Sequence, residues 1–85
     1  MEKKPVMLIV DDVEMHRAIL AQFFKAEYDL LEAADGNEMM ALLAEKTVDI
    51  ILLDLVMPGA DGFGLLARLK RDERLSAIPV IVTTA

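Results

Sequence analysis

Cysteine is absent from this 85-residue chain, which excludes disulfides and thiolate metal sites and is compatible with a reducing compartment. Long apolar runs are absent too: nothing approaches the roughly 20 residues of a membrane span. The charged start Met1-Glu2-Lys3-Lys4-Pro5 is followed by only five apolar residues before Asp11, too short a run for a signal-peptide core. A soluble, cytoplasmic chain is expected. Positive charge is scarce, with nine Lys and Arg against 15 Asp and Glu, a net charge of −6 and a pI near 4.6. Direct binding of nucleic acid calls for a basic face, and so does an anionic lipid surface, so neither is expected as a partner. Repeats, low-complexity stretches and linkers are also lacking, and the length allows one small domain. Against these absences stands a hydrophobic content of 55% with a mean hydropathy of +0.41, enough for a packed core and too much for a disordered chain.

Strand and helix signals alternate from one end to the other. Val6-Met7-Leu8-Ile9-Val10 and Ile50-Ile51-Leu52-Leu53 are short continuous apolar runs rich in β-branched residues, the pattern of strands covered on both faces of a parallel sheet. Between them a helix carries Met15, Ile19, Leu20, Phe23 and Phe24 on one stripe. Tyr28 to Ala33 reads as a strand, and a helix opened by Asp35 as its cap carries Met39, Met40, Leu42 and Leu43. The third strand is expected from Val48 to Leu53, followed by a loop over Leu55 to Ala60 with Pro58-Gly59 in a type II turn. Asp61 then caps a helix bearing Phe63, Leu65, Leu66 and Leu69, with Lys70, Arg71 and Arg74 towards its negative end. Ile78 to Thr84 forms a fourth strand, entered at Pro79. The order β-α-β-α-β-α-β implies an α/β fold with a parallel sheet and right-handed crossovers. The fourth strand would present a bare apolar edge, an arrangement that natural proteins rarely leave uncovered. A partner, including a second copy docked on that strand, is one way to cover it; continuation of the domain beyond Ala85 is the other.

Three carboxylates stand where the buried strands stop: Asp11 and Asp12 after the first, Asp54 after the third. Ligands of open parallel sheets bind beyond the carboxyl ends of the strands. If the two strands are neighbours, three acids meet at one rim, a cluster that repels itself unless a divalent cation or protons intervene. The set is a hard-metal site suited to phosphoryl chemistry, in which catalysis is mainly positioning and charge neutralisation.

These residues resemble the receiver domain of two-component response regulators. The resemblance rests on Asp11-Asp12, on Asp54-Leu55-Val56-Met57-Pro58-Gly59-Ala60-Asp61-Gly62 as a D-x-x-M-P-x-x-D-G stretch, on Ile78-Pro79-Val80-Ile81-Val82-Thr83-Thr84-Ala85 as a fourth strand ending in Thr-Ala, and on Asp35-Gly36 at the start of the second helix. It runs through the whole chain in order. It implies a flavodoxin-like doubly wound parallel sheet with four strands present in the order 2-1-3-4. Set against the family, residues 1–85 are a truncated receiver domain without the fifth strand and the last two helices, and so without the lysine that contacts the phosphoryl group and the switch aromatic. By resemblance, Asp54 is the phosphoacceptor, taking its phosphoryl group from a sensor histidine kinase or a phosphotransfer protein to switch a downstream output. Asp12 and Asp54 bind Mg²⁺ directly, the backbone carbonyl of Val56 completes the protein ligands, and Asp11 acts through water. Thr84 contacts the phosphoryl group and relays the switch; it is preferred to Thr83 because it directly precedes Ala85, as in the family motif. Such a domain is a phosphoacceptor rather than an enzyme.

Plainer readings stand beside these. Asp11-Asp12 alone would pass for a solvated helix start, Asp61 reads as a cap rather than a ligand, and Thr is at home in any strand. His16 is the only histidine and is read as a surface residue without a role. Met57 is expected to pack under the loop, and Glu14 and Val56 to flank the site. A receiver-like module that never meets phosphate and dimerises through its fourth strand is the chief alternative. A haloacid-dehalogenase-like phosphatase would need an acid where Val56 stands, and a flavodoxin-like FMN site would need a polar, uncharged loop where Asp11-Asp12-Val13-Glu14 lies; both fit poorly.

Overall fold

The first strand, β1 (Val6–Val10), and the third, β3 (Ile50–Asp54), lie side by side in parallel, Leu8 opposite Ile51 and Val10 opposite Leu53. The computed structural model describes residues 3–57 and 60–84, with the backbone alone for Ala60, Asp61 and Thr84. From β1 the chain runs through helix α1 (Glu14–Phe24) to strand β2 (Asp29–Ala33), then through α2 (Gly36–Glu45) to β3. Two short strands, β4 (Val56–Met57) and β5 (Ala60–Asp61), precede α3 (Gly62–Arg71), and β6 (Val80–Thr84) closes the described chain. The main sheet has the order β2-β1-β3-β6 with every pairing parallel. Counting only its own four strands, this is the 2-1-3-4 order expected from the sequence.

Side chains alternate across each strand, and the two sets fall into two core clusters. Leu8, Val10, Ile51 and Leu53 join Met39 and Leu43 of α2, Leu69 of α3 and Leu75 on one face. Met7, Ile9 and Leu52 pack with Leu20, Ala21 and Phe24 of α1, and with Tyr28, on the other. The unbroken apolar runs are thus explained: β1 and β3 are central strands buried on both sides.

Three expectations need correction. The loop over Leu55 to Ala60 is an antiparallel ladder at its ends, Val56 opposite Asp61 and Met57 opposite Ala60. Arms two residues long leave no alternation to detect. The apolar stripe assigned to α1 is divided: Leu20 and Phe24 meet the sheet, whereas Met15, Ile19 and Phe23 stand exposed, and no residue of this helix is fully buried. Phe63 is likewise exposed, with Leu65, Leu66 and Leu69 making the packing face of α3. Pro58 and Gly59, read as a turn, lie outside the described residues, as does Ala85; the side chain of Asp61, read as a cap, does too. Asp35 does cap α2, its Oδ1 accepting from the amide of Glu38 at 2.8 Å.

Candidate metal and phosphoacceptor site

β1 leads by α1 outward to β2, and β3 then enters on the other side of β1. The two connections diverge there, so the crevice beyond the carboxyl ends of β1 and β3 is the switch point at which doubly wound sheets hold ligands. Asp11 and Asp12 directly follow β1, and Asp54 is the last residue of β3. One carboxylate oxygen from each of the three lies within 4.8 Å of the other two. Asp11 and Asp54 are buried and Asp12 is exposed, so the cluster has a protein floor and a solvent mouth. Every offered ligand atom is a carboxylate oxygen, the donor chemistry that Mg²⁺, Ca²⁺ and Mn²⁺ take and thiophilic metals do not. The residues present fit a hard divalent cation.

Buried carboxylates need donors, and local backbone supplies them. Oδ1 of Asp11 accepts from the amide of Val13 at 2.9 Å, and Oδ1 of Asp54 accepts from the amide of Val56 at 2.8 Å. Each bond spans two residues and fixes the chain's turn as it leaves the strand, the local pattern that makes Asp favourable at such positions. Val56, expected to offer its carbonyl, therefore also steadies Asp54 through its amide, and its side chain is exposed at the rim. Met57 is buried in the larger cluster beneath, as expected.

Two residues of α1 are drawn into this arrangement: Arg17, which the sequence did not single out, and His16, read from the sequence as a surface residue without a role. Arg17 donates from Nη1 to the carbonyl of Asp11 at 2.7 Å and from Nε to Oε1 of Glu32 at 3.1 Å, tying the ends of β1 and β2 to the helix. His16 places Nδ1 at 3.1 Å from Oδ2 of Asp11. Both lie in the first turn of α1, where a side chain points back over the preceding residues; the signal was their spacing of five and six from Asp11. The sixth strand runs beside β3 with a register shift, Leu53 opposite Val82 but Asp54 opposite Thr84. The extra residue is Thr83, which lines an open cleft of about 280 Å³ with Asp11, His16, Ile19 and Leu20. Thr84, favoured from the sequence, has its backbone level with Asp54, while its side chain lies outside what is described.

The chain matches the model of the response regulator receiver domain over residues 7–85. It belongs to the response regulator receiver domain family. Among its relatives, the DNA-binding dual master transcriptional regulator RpaA of Synechocystis is 39% identical over 80 residues, which are 94% of this chain and 33% of that protein. This receiver domain therefore spans a third of that regulator's length. A response regulator receiver protein from Pseudomonas putida superposes with a TM-score of 0.89 at 26% identity, covering 99% of this chain and 70% of that one. The response regulator Rcp1 in its Mn²⁺-bound form superposes with a TM-score of 0.83 at 31% identity over 94% of this chain and 65% of its own. The receiver fold and a general place in two-component signalling follow for this chain. Among the described residues, no helix is long and apolar enough to cross a membrane.

Proposed function

We propose that this receiver domain accepts a phosphoryl group on Asp54 from the phosphohistidine of a sensor kinase or phosphotransfer protein, with Mg²⁺ held at the acidic cluster. The observation that carries this reading is the convergence of Asp11, Asp12 and Asp54 at the switch point, with oxygens within 4.8 Å of one another. A carboxylate oxygen of Asp54 attacks phosphorus, the P–N bond of the donor breaks, and its electron pair returns to the donor imidazole. The backbone bond from Val56 to Oδ1 holds the Asp54 carboxylate at the crevice. Asp12 and Asp54 would hold the cation directly with the carbonyl of Val56, and Asp11 would hold it through water. Bound there, the cation supplies the positive charge that offsets repulsion between a carboxylate and an incoming phosphoryl group. Thr84, level with Asp54 across the sheet, is the assigned phosphoryl contact and switch. Such a domain supports its own phosphorylation without being an enzyme in the usual sense, and works in the cytoplasm, where the donor kinases present their phosphohistidines.

Incubation with Mg²⁺ and acetyl phosphate followed by intact-mass measurement tests the reading. One phosphoryl adduct is expected on the parent chain and none on Asp54→Asn. A folded parent without adduct would reject Asp54 as an acceptor in this chain.

A second reading has its own observation. Ile81 and Val82 of β6 are 51% and 40% exposed, and Ile19 and Phe23 of α1 are exposed as well. These apolar residues suit a receiver-like module that associates through its sixth strand, the fourth of the main sheet, and has no use for phosphate. A response to Mg²⁺ separates the two readings, because only the first ties the cation to the folded state.

A further inference from the structure

We infer that His16 is a positioning residue for the acidic site: through Nδ1 it fixes the carboxylate of Asp11 in the orientation that cation binding needs. The inference rests on the phosphoacceptor reading above and concerns a residue that the reading itself does not use.

Asp11 has two oxygens and, among the described residues, two protein donors to them. Oδ1 takes the amide of Val13 at 2.9 Å and Oδ2 takes Nδ1 of His16 at 3.1 Å. An ionised carboxylate only accepts, so Nδ1 must carry the hydrogen, which fixes the ring's donor side towards Asp11. The amide bond alone would still let the carboxylate tilt about its bonded oxygen. A second donor on the other oxygen removes that freedom. The burial of the partners is unequal in an informative way, with the side chain of Asp11 5% exposed and that of His16 56% exposed. The ring is a cover over a buried acid rather than part of the core, so its removal disturbs the acid more than the fold. The backbone of Asp11 is secured separately, by its amide on the carbonyl of Ala33 at 3.1 Å and by Arg17 on its own carbonyl at 2.7 Å. What His16 adds is therefore confined to the carboxylate. Partners that orient direct metal ligands commonly govern affinity by about 10- to 100-fold; Asp11 would reach the cation through water, so the low end of that range is expected.

The test is a titration of backbone amide signals with Mg²⁺ alone on the parent chain, His16→Ala and His16→Asn. The amide of Asn can stand where Nδ1 stands and donate to the same oxygen; alanine cannot. Expected is a Kd for Mg²⁺ raised about 10-fold in His16→Ala, restored to within about 2-fold in His16→Asn, with the two variants melting at the parent's temperature in the absence of the cation. A parent that binds Mg²⁺ together with an His16→Ala variant that binds it equally well, or more tightly, overturns the positioning role and leaves the site reading intact. A melting temperature that falls in His16→Ala and is not restored in His16→Asn assigns the residue to the fold and overturns the inference as well. A folded parent whose signals do not move with Mg²⁺ rejects the cation site itself, and the inference with it.

Discussion

Gly62 stands at the first turn of α3 with its Cα packed against the backbone of Leu55, the residue after Asp54. A Cβ there would lie 2.4 Å from the Cα of Leu55 and 2.5 Å from its carbonyl oxygen. Backbone cannot turn aside as a side chain can, so the helix start and the strand end would have to separate. The glycine of the D-x-x-M-P-x-x-D-G stretch thus has a packing reason: it lets α3 close directly over the exit of β3 and so sets the path of Asp54, Leu55 and Val56. Gly62→Ala is expected to lower stability by about 1–3 kcal/mol, the usual cost of overpacking, read as a lower denaturation midpoint with an unchanged slope. Gly36→Ala is the informative contrast. The added Cβ would come within 2.6 Å of Leu65, but of its terminal methyl groups, which can rotate away. The loss there should be clearly smaller. Equal losses at the two positions would mean that contact with the Leu55 backbone is not what Gly62 is there to permit.

Capping decides where the second helix begins, and it does so reciprocally. Asp35 accepts from the amide of Glu38 at 2.8 Å, while Oε1 of Glu38 accepts from the amide of Ala34 at 3.0 Å. Two otherwise orphaned donors are satisfied by a pair of side chains three residues apart. Asp35→Ala should therefore cost about 1 kcal/mol in chemical denaturation, and Asp35→Asn, which keeps an accepting oxygen, much less; equal losses in the two variants would assign the effect to charge near the helix start instead. This cap was legible in the sequence, as were the four strands of the main sheet and the carboxylates at their ends. Burial on both faces leaves an unbroken apolar run, and an acid just after such a run stands out. What stayed hidden depended on tertiary placement. A stripe of five apolar residues announces that α1 is amphipathic, but Leu20 and Phe24 meet the sheet while Ile19 and Phe23 do not, a choice set by where the helix lies. Leu75 looks like a loop residue and is buried in the larger cluster, carried in by the turn after α3, where Arg74 also reaches the carbonyl of Leu43 at 2.8 Å. Arg17 was hidden for the same reason, and His16 was read as a surface residue without a role, since only the angle between β1 and α1 brings the two over Asp11.

Taken as a whole, the molecule carries two unequal faces and one concentrated charge, and each has a consequence for its stability. Among the described residues, two helices cover one side of the sheet and one covers the other. Ile81, opposite Leu52 in the ladder, is half exposed in spite of its neighbour's burial. At the carboxyl end of the same sheet, three carboxylates share a space in which their oxygens approach to within 4.8 Å. Folding assembles that charge, whereas the unfolded chain keeps Asp54 dozens of residues from Asp11 and Asp12, so a cation that bridges them binds the folded state and stabilises it by mass action. At Mg²⁺ a hundredfold above its Kd the gain is about 2.7 kcal/mol, which for a domain of this size raises Tm by on the order of 10 °C or more. The gain should vanish in Asp12→Asn. That variant also removes one of three mutually repelling charges, so without Mg²⁺ it should melt no lower than the parent and somewhat higher at low salt. A monovalent salt at matched ionic strength supplies the control, since screening alone would raise the parent's Tm only by the repulsion it relieves, and that of Asp12→Asn by less. If Mg²⁺ did no more than that salt, the acidic cluster would be a solvated strand end, and the exposed faces of β6 and α1 would become the better guide to what this domain does.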